Sequence, residues 1–141
     1  MNPIFRAVTP YVCLALFAGL PMGCATAPVI SPDEAAIRQT LNAWKTAMMA
    51  KDLEGIMAAH SLHYNQDGKD LSSARAFYAS AIKDGELNNA IVVTEHATIE
   101  IEGDKALVSP IAISKPVGSG SMRLRLAREN GKWLIVGMDW P

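Results

Sequence analysis

Across "KDGELNN", residues 83–89, the apolar residues stop recurring every three or four positions and begin recurring every two. Helical faces therefore come first and sheet faces second, which describes an α+β domain with its helices on one face of an antiparallel sheet. Upstream, Ser31 suits a helix cap, Pro32 the first turn, and Asp33 and Glu34 the positive helix end. Ile37, Leu41, Trp44 and Met48 then form one apolar face. The pattern breaks at Lys51 and restarts with Asp52 as a cap and Leu53, Ile56 and Met57 as the face of a shorter helix. A third helix is expected from Ser72 or Ser73 to about Lys83, capped by Asp70 or Ser72, with Ala74, Phe77, Ala81 and Ile82 on one side.

Downstream, "AIVVTEHATIEIEG" alternates as a single strand. Ile91, Val93, Ala97, Ile99 and Ile101 fall on one side, and Thr94, His96, Thr98 and Glu100 on the other. "EGDKA" is a tight turn, and "ALVSPIAISK" is a strand whose Pro110 requires an edge or a bulge. After a loose "KPVGSGS" loop, "MRLRLARE" turns Met122, Leu124 and Leu126 inward and Arg123 and Arg125 outward. Asn130-Gly131 is the pair favoured by type I′ hairpins, and "WLIVGMDW" completes a sheet of about four strands. Gly137 inside that strand marks a bend or a close approach by another group.

The first 23 residues read as an export signal. Arg6 is their only charged side chain, and the apolar run from Tyr11 to Leu20 is about half the length a membrane-spanning helix needs. Small residues then lead to Cys24. "GLPMGC" resembles the lipobox of bacterial lipoproteins, with Pro21 and Met22 in place of the usual aliphatic and small residues. The resemblance implies cleavage before Cys24 and its acylation, so that residues 24–32 become a lipidated tether and 33–141 the domain. Cleavage nearby with plain secretion, and a retained apolar helix, are the alternatives. Cys13 would leave with the signal, so Cys24 would have no intrachain partner, and thioether linkage to lipid removes an otherwise oxidisable thiol. Ala25 resembles the pattern sorted to the outer membrane, on the periplasmic side of the cell envelope.

The domain's length allows one core. With 13 Lys plus Arg against 14 Asp plus Glu, no basic stripe exists to neutralise phosphates, and nucleic acid is not an expected partner. The element order, Trp44 in the first helix, "KDLEGIMAAHS" and the terminal "NGKWLIVGMDW" resemble the nuclear transport factor 2-like, or SnoaL-like, superfamily. The resemblance implies a cone: a strongly curved sheet wraps the first helix and leaves an apolar cavity at its open end. It also implies a choice of roles, since some members are isomerases, cyclases, dehydratases or hydrolases, and others only bind ligands or dimerise through the sheet.

Seven residues are candidates for that cavity. His60, His63 and Tyr64 follow the second helix, near the cavity mouth that the resemblance implies. His60 and His63, three apart, would share a face if the helix continued, with His96 as a third metal ligand. Histidines at a fraying helix end are more often solvated or bonded to backbone, so no metal or other cofactor is assigned. His96 either faces the cavity, where an imidazole could serve as a proton exchanger, or lies on the surface. Asp139 shares parity with Trp133 and Ile135, which makes it either a desolvated base or a terminal charge that reaches water. Trp44 serves the core or a cavity wall, and Tyr78 packs or offers a hydroxyl at the rim. No nucleophile elbow, phosphate loop or zinc-type cysteine set is present in the sequence. The expected function is non-catalytic binding of a small apolar ligand or a partner protein by an envelope lipoprotein. An acid–base enzyme using His96 or Asp139, with Tyr64 or Tyr78 as donor, is the alternative.

Overall fold

In the computed structural model, which describes residues 29–140, the Ser31 side chain accepts a hydrogen bond from Glu34 N at 3.1 Å and starts helix α1, Pro32–Ala50. Cys24, the signal segment and most of the tether lie outside the described residues. Ile37, Leu41, Trp44 and Met48 are buried as their spacing requires, and Lys51, in the left-handed region at φ 59°, ends the helix. Helix α2 is short, Leu53–Ala58. Asp52 precedes it, but its side chain makes no capping bond. Helix α3, Leu71–Lys83, is capped by Asp70, which accepts from Ser73 N at 2.9 Å. Its inner face is Ala74, Tyr78 and Ala81. The expected inward Phe77 is 53% exposed, one step around the helix from Tyr78.

Five strands follow: β1 Ile91–Val93, β2 Thr98–Glu102, β3 Lys105–Lys115, β4 Gly118–Glu129 and β5 Lys132–Asp139. All pairings are antiparallel. The count exceeds the expected four because one edge strand is split. β2 pairs with the first half of β3 and β1 with the second, so both occupy the same edge. The gap lies opposite Pro110 and Ile111, between the Thr98–Ser109 and Val93–Ala112 pairs. Pro110 has no N–H to offer a neighbour, and a register shift between Val108 and Ile111 bulges β3 at the same point. The edge chain leaves the sheet there and turns toward α1, where Glu95 pairs with Lys45.

The split reverses the expected facing of the first segment. Val92 and Thr94 are buried and Ile91 is 56% exposed, whereas Ala97 is buried as expected. The "KPVGSGS" stretch is not a loose loop. Pro116 and Val117 alone form the turn, and Lys115 pairs with Gly118 as the ladder resumes. Asn130 (φ 49°) and Gly131 (φ 77°) form the positive-φ hairpin turn expected of that dipeptide.

A second register shift, between Arg125 and Leu126 of β4, leaves Val136 of β5 unpaired. Before it, Trp133 and Ile135 point inward; after it, Met138 does. Asp139 is thereby turned to the other face. Gly137 sits at this shift and serves a close approach too: a Cβ there would lie 2.9 Å from Asn65 O and against the Arg125 guanidinium. Residues 59–65 run along the free edge of β5. Ile135 N donates to Ala59 O, Ser61 N to Ile135 O and Asn65 N to Val136 O, each at 2.9 Å. This cover protects an edge that would otherwise be open to pairing. Among the described residues no helix is long and apolar enough to cross a membrane.

Candidate functional site

The edge cover that follows α2 brings three of the candidate residues to one place. His60 is 5% exposed and its Nδ1 lies 2.9 Å from Ile56 O. A carbonyl only accepts, so Nδ1 carries the proton and Nε2 is left as a bare acceptor in the neutral ring. Among the described residues no hydrogen-bond partner reaches that nitrogen. Burial lowers the proton affinity of His60, and the bond to Ile56 opposes the shift only in part. Tyr64 and Tyr78 pack edge-on against the His60 ring, with centroids 5.3 and 5.6 Å away.

Tyr64 O–H donates to Gln66 Oε1 at 2.8 Å. Burial pushes its pKa up to about 12; the Arg125 charge opposes the rise, and Asp139 and Asp67 add to it. Tyr78 is also raised, chiefly by burial. The Trp44 N–H is near enough to the Tyr78 oxygen to favour its ionised form slightly, without meeting hydrogen-bond geometry. Trp44, fully buried, thus keeps a donor without a hydrogen-bond partner among the described residues, as His60 keeps such an acceptor, and both adjoin Tyr78.

Tyr64 and Tyr78 are also the inner wall of a cleft of about 240 Å³ between α3 and the end of the sheet. Its other walls are Phe77, Met138 and Trp140, with Gln66, Lys69 and Ser73 at the rim. Phe77, Tyr78, Met138 and Trp140 also border a nearly filled recess of about 20 Å³, backed by Met48, Leu87 and Met122. Phe77 and Trp140 remain 53% and 48% exposed, so the cleft presents aromatic surface that the domain does not bury.

The remaining candidates lie elsewhere. The helix ends at Ala58, so His60 turns inward and His63 outward; they share no face. His96 is exposed in the turn between β1 and β2, not mid-strand. Among the described residues no three His, Cys, Asp or Glu side chains are grouped to hold a metal. Asp139, turned by the register shift, meets Arg125 Nε at 3.3 Å, and neither lines the cleft. A larger depression of about 520 Å³ lies on the outer sheet face, where Leu107, Ala127 and Val136 are flanked by Glu100 and Arg125. It is a shallow trough, without the buried polar atoms that accompany the cleft.

Gln66, Lys69, Met138 and Trp140 were not candidates from sequence. Trp140 and Met138 share parity, and allowance for a bulge at Gly137 would have turned both inward. Gln66 and Lys69 carried no comparable signal, because their placement depends on the turn between them.

No family model and no curated protein matches the sequence. Solved structures do. A protein of unknown function with a cystatin-like fold from Nostoc punctiforme superposes with a TM-score of 0.62 at 16% identity, over 75% of this chain and 87% of that one. A nuclear transport factor 2-like protein of unknown function from Pseudomonas putida gives 0.60 at 22% identity, over 77% and 84%. Another, from Shewanella oneidensis, gives 0.59 at 17% identity, over 75% and 96%. The fold is therefore nuclear transport factor 2-like. Identities this low carry the fold and nothing of function.

Proposed function

We propose that this nuclear transport factor 2-like domain binds a small, largely apolar ligand in the cleft between α3 and the end of the sheet, without catalysis. The observation that carries the reading is the unfilled cleft with Phe77 and Trp140 half exposed on its walls. A pocket lined by apolar and aromatic groups with a few polar atoms at its rim is the usual form of a small-molecule site. Neither His96 nor Asp139, the bases considered for an acid–base enzyme, lines it. Native mass spectrometry of the full chain, purified from a bacterial host in mild detergent, tests the reading. Retained mass matching an apolar metabolite, lost in Trp140→Ala, supports it; an empty cleft that also takes up no member of an apolar ligand library sinks it.

The domain acts, on this reading, at the periplasmic side of a bacterial envelope, tethered through acylated Cys24 to the outer membrane. The lipobox-like "GLPMGC" supports the anchor. Cys24→Ser should release a folded protein from the membrane fraction. Persistence there contradicts the anchor and leaves the cleft reading untouched. The outer-face trough, with an apolar centre between charges of both signs, supports a second role in self-association or in docking a partner protein. Sedimentation distinguishes monomer from dimer.

A further inference from the structure

The charge and hydrogen-bonding capacity of the cleft rim narrow the ligand class. Among the described residues no Asp or Glu lines the cleft or its recess: the charged side chains there are Lys69 at the mouth and Lys115 at the recess. Lys115 has Glu86 at 3.7 Å, whereas Lys69 makes no ion pair among the described residues. Gln66 spends its amide oxygen on Tyr64 O–H, which leaves its two N–H groups to donate. The Ser73 hydroxyl donates to Asp70 Oδ1 at 2.9 Å, and the same oxygen receives the Ser72 hydroxyl and Ser73 N, so that the Ser73 hydroxyl proton is already used.

Gln66 and Lys69 are also held together. Gln66 N donates to Lys69 O at 3.0 Å and Lys69 N to Gln66 O at 2.9 Å, across a two-residue turn in which Asp67 (φ 52°) and Gly68 (φ 80°) both adopt the left-handed region. An ammonium and an amide donor thus stand side by side at one end of an aromatic wall. Beyond the wall the recess is backed by Met48 and Met122 and edged by Met138, unbranched side chains that can yield to a chain entering between them.

We propose that the cleft takes a single-chain amphiphile with an anionic head, a carboxylate at Lys69 and Gln66 with its alkyl chain along Phe77 and Trp140. The proposal rests on the binding reading above and names the ligand class for the same site. Its test uses the full chain carrying Cys24→Ser, so that no acyl group of its own competes, and follows quenching of tryptophan fluorescence by a bromo-terminated undecanoate or by the matching undecanol.

The acid should half-saturate quenching at a concentration about threefold to fivefold below the alcohol, the size expected of one exposed charge pair. Lys69→Met should remove that difference and leave the alcohol unchanged. Trp140→Phe should remove much of the quenching, since Trp140 is the tryptophan that lines the cleft while Trp44 lies behind the Tyr78 wall. Equal affinity for acid and alcohol, or an acid preference that survives Lys69→Met, overturns the proposal while the apolar-binding reading stands. Quenching left undiminished by Trp140→Phe overturns it too, by moving the chain elsewhere. Binding to phosphatidylglycerol vesicles without binding of the free acid replaces it with a membrane surface. No quenching by either probe removes the proposal and the binding reading together.

Discussion

Trp133 and Trp44 are both fully buried, yet the end of the domain that holds Trp133 is complete and the end that holds Trp44 is not. Trp133 Nε1 donates to Asp33 Oδ1 at 3.1 Å, and Arg128 joins Asp33 (3.0 Å) to Asp104 (2.7 Å) while lying over the indole, 5.6 Å from its centroid. Thr40 adds a bond to Trp133 O at 2.8 Å. This network ties the start of α1 to β4, β5 and the turn before β3. Eleven residues along α1, about 16 Å away by helix rise, Trp44 has a buried N–H with no partner, His60 has a bare nitrogen, and Phe77 and Trp140 face solvent. Buried polar atoms are nearly always paired, so each such atom calls for an account, whether a water, a strained contact or a bound molecule.

The comparison is tested most severely by truncating a tryptophan at each end. Trp133→Ala should cost about 3–5 kcal/mol, through lost packing and the lost bond to Asp33. Trp140→Ala should stay within about 0.5 kcal/mol, as a surface change does, while abolishing ligand uptake. Urea denaturation reads both, and comparable losses at the two positions would dissolve the distinction. A finer probe removes only the N–H. Trp133→Phe should lose about 1 kcal/mol more than Trp44→Phe, because the first breaks a bond and the second deletes an unpartnered donor. The reverse order would mean that Trp44 is satisfied by something bound.

Titration gives a third, smaller effect. Unfolding lets His60 bind its proton at the ordinary value of 6.5, whereas burial holds the folded value lower. The unfolded chain therefore binds more protons in that window, and stability falls as pH drops below 6.5 toward the folded value. Tyr64 works in the opposite direction: with its pKa raised from 10 to about 12, stability is lost as pH climbs through that interval. Denaturation midpoints measured against pH, with His60→Gln flattening the acid limb, check the first; an unchanged acid limb would refute it. The smallest effect belongs to Asp139→Asn. Its exposed pair with Arg125 is worth at most about 1 kcal/mol, and cleft binding should not change. A loss of binding would restore Asp139 to the site.

Local chemistry was readable wherever it acts within a few residues. The Ser31 and Asp70 caps, the Asn130-Gly131 turn and the inward Met122, Leu124 and Leu126 all follow from nearest neighbours. Irregularities were readable as positions but not as consequences. Pro110 announced a bulge in β3, but its effect fell on the neighbouring edge strand, which it split, leaving His96 in a turn. Gly137 announced a bend, but the accompanying one-residue shift reversed the face of Asp139 and Trp140. In a strand a single extra residue exchanges inside for outside, so an error of one is total. On helix α3, the inward position fell to Tyr78 and not Phe77 because the sheet end and His60 determine which side of the helix is covered.

The sequence by itself determined the α+β order, the helix starts, the turns at Gly103-Asp104 and Asn130-Gly131 and most of the core, because period, caps and turn residues act through local backbone geometry. Only the tertiary structure decided which polar groups meet. His60, Tyr64 and Tyr78 come together because residues 59–65 lie along β5, and Gln66 and Lys69 reach the rim through a turn anchored beside that edge. His63, His96 and Asp139 are directed elsewhere by a helix that ends early and by two register shifts. These are contacts between segments distant in the chain, and local pattern carries no record of which segment will arrive.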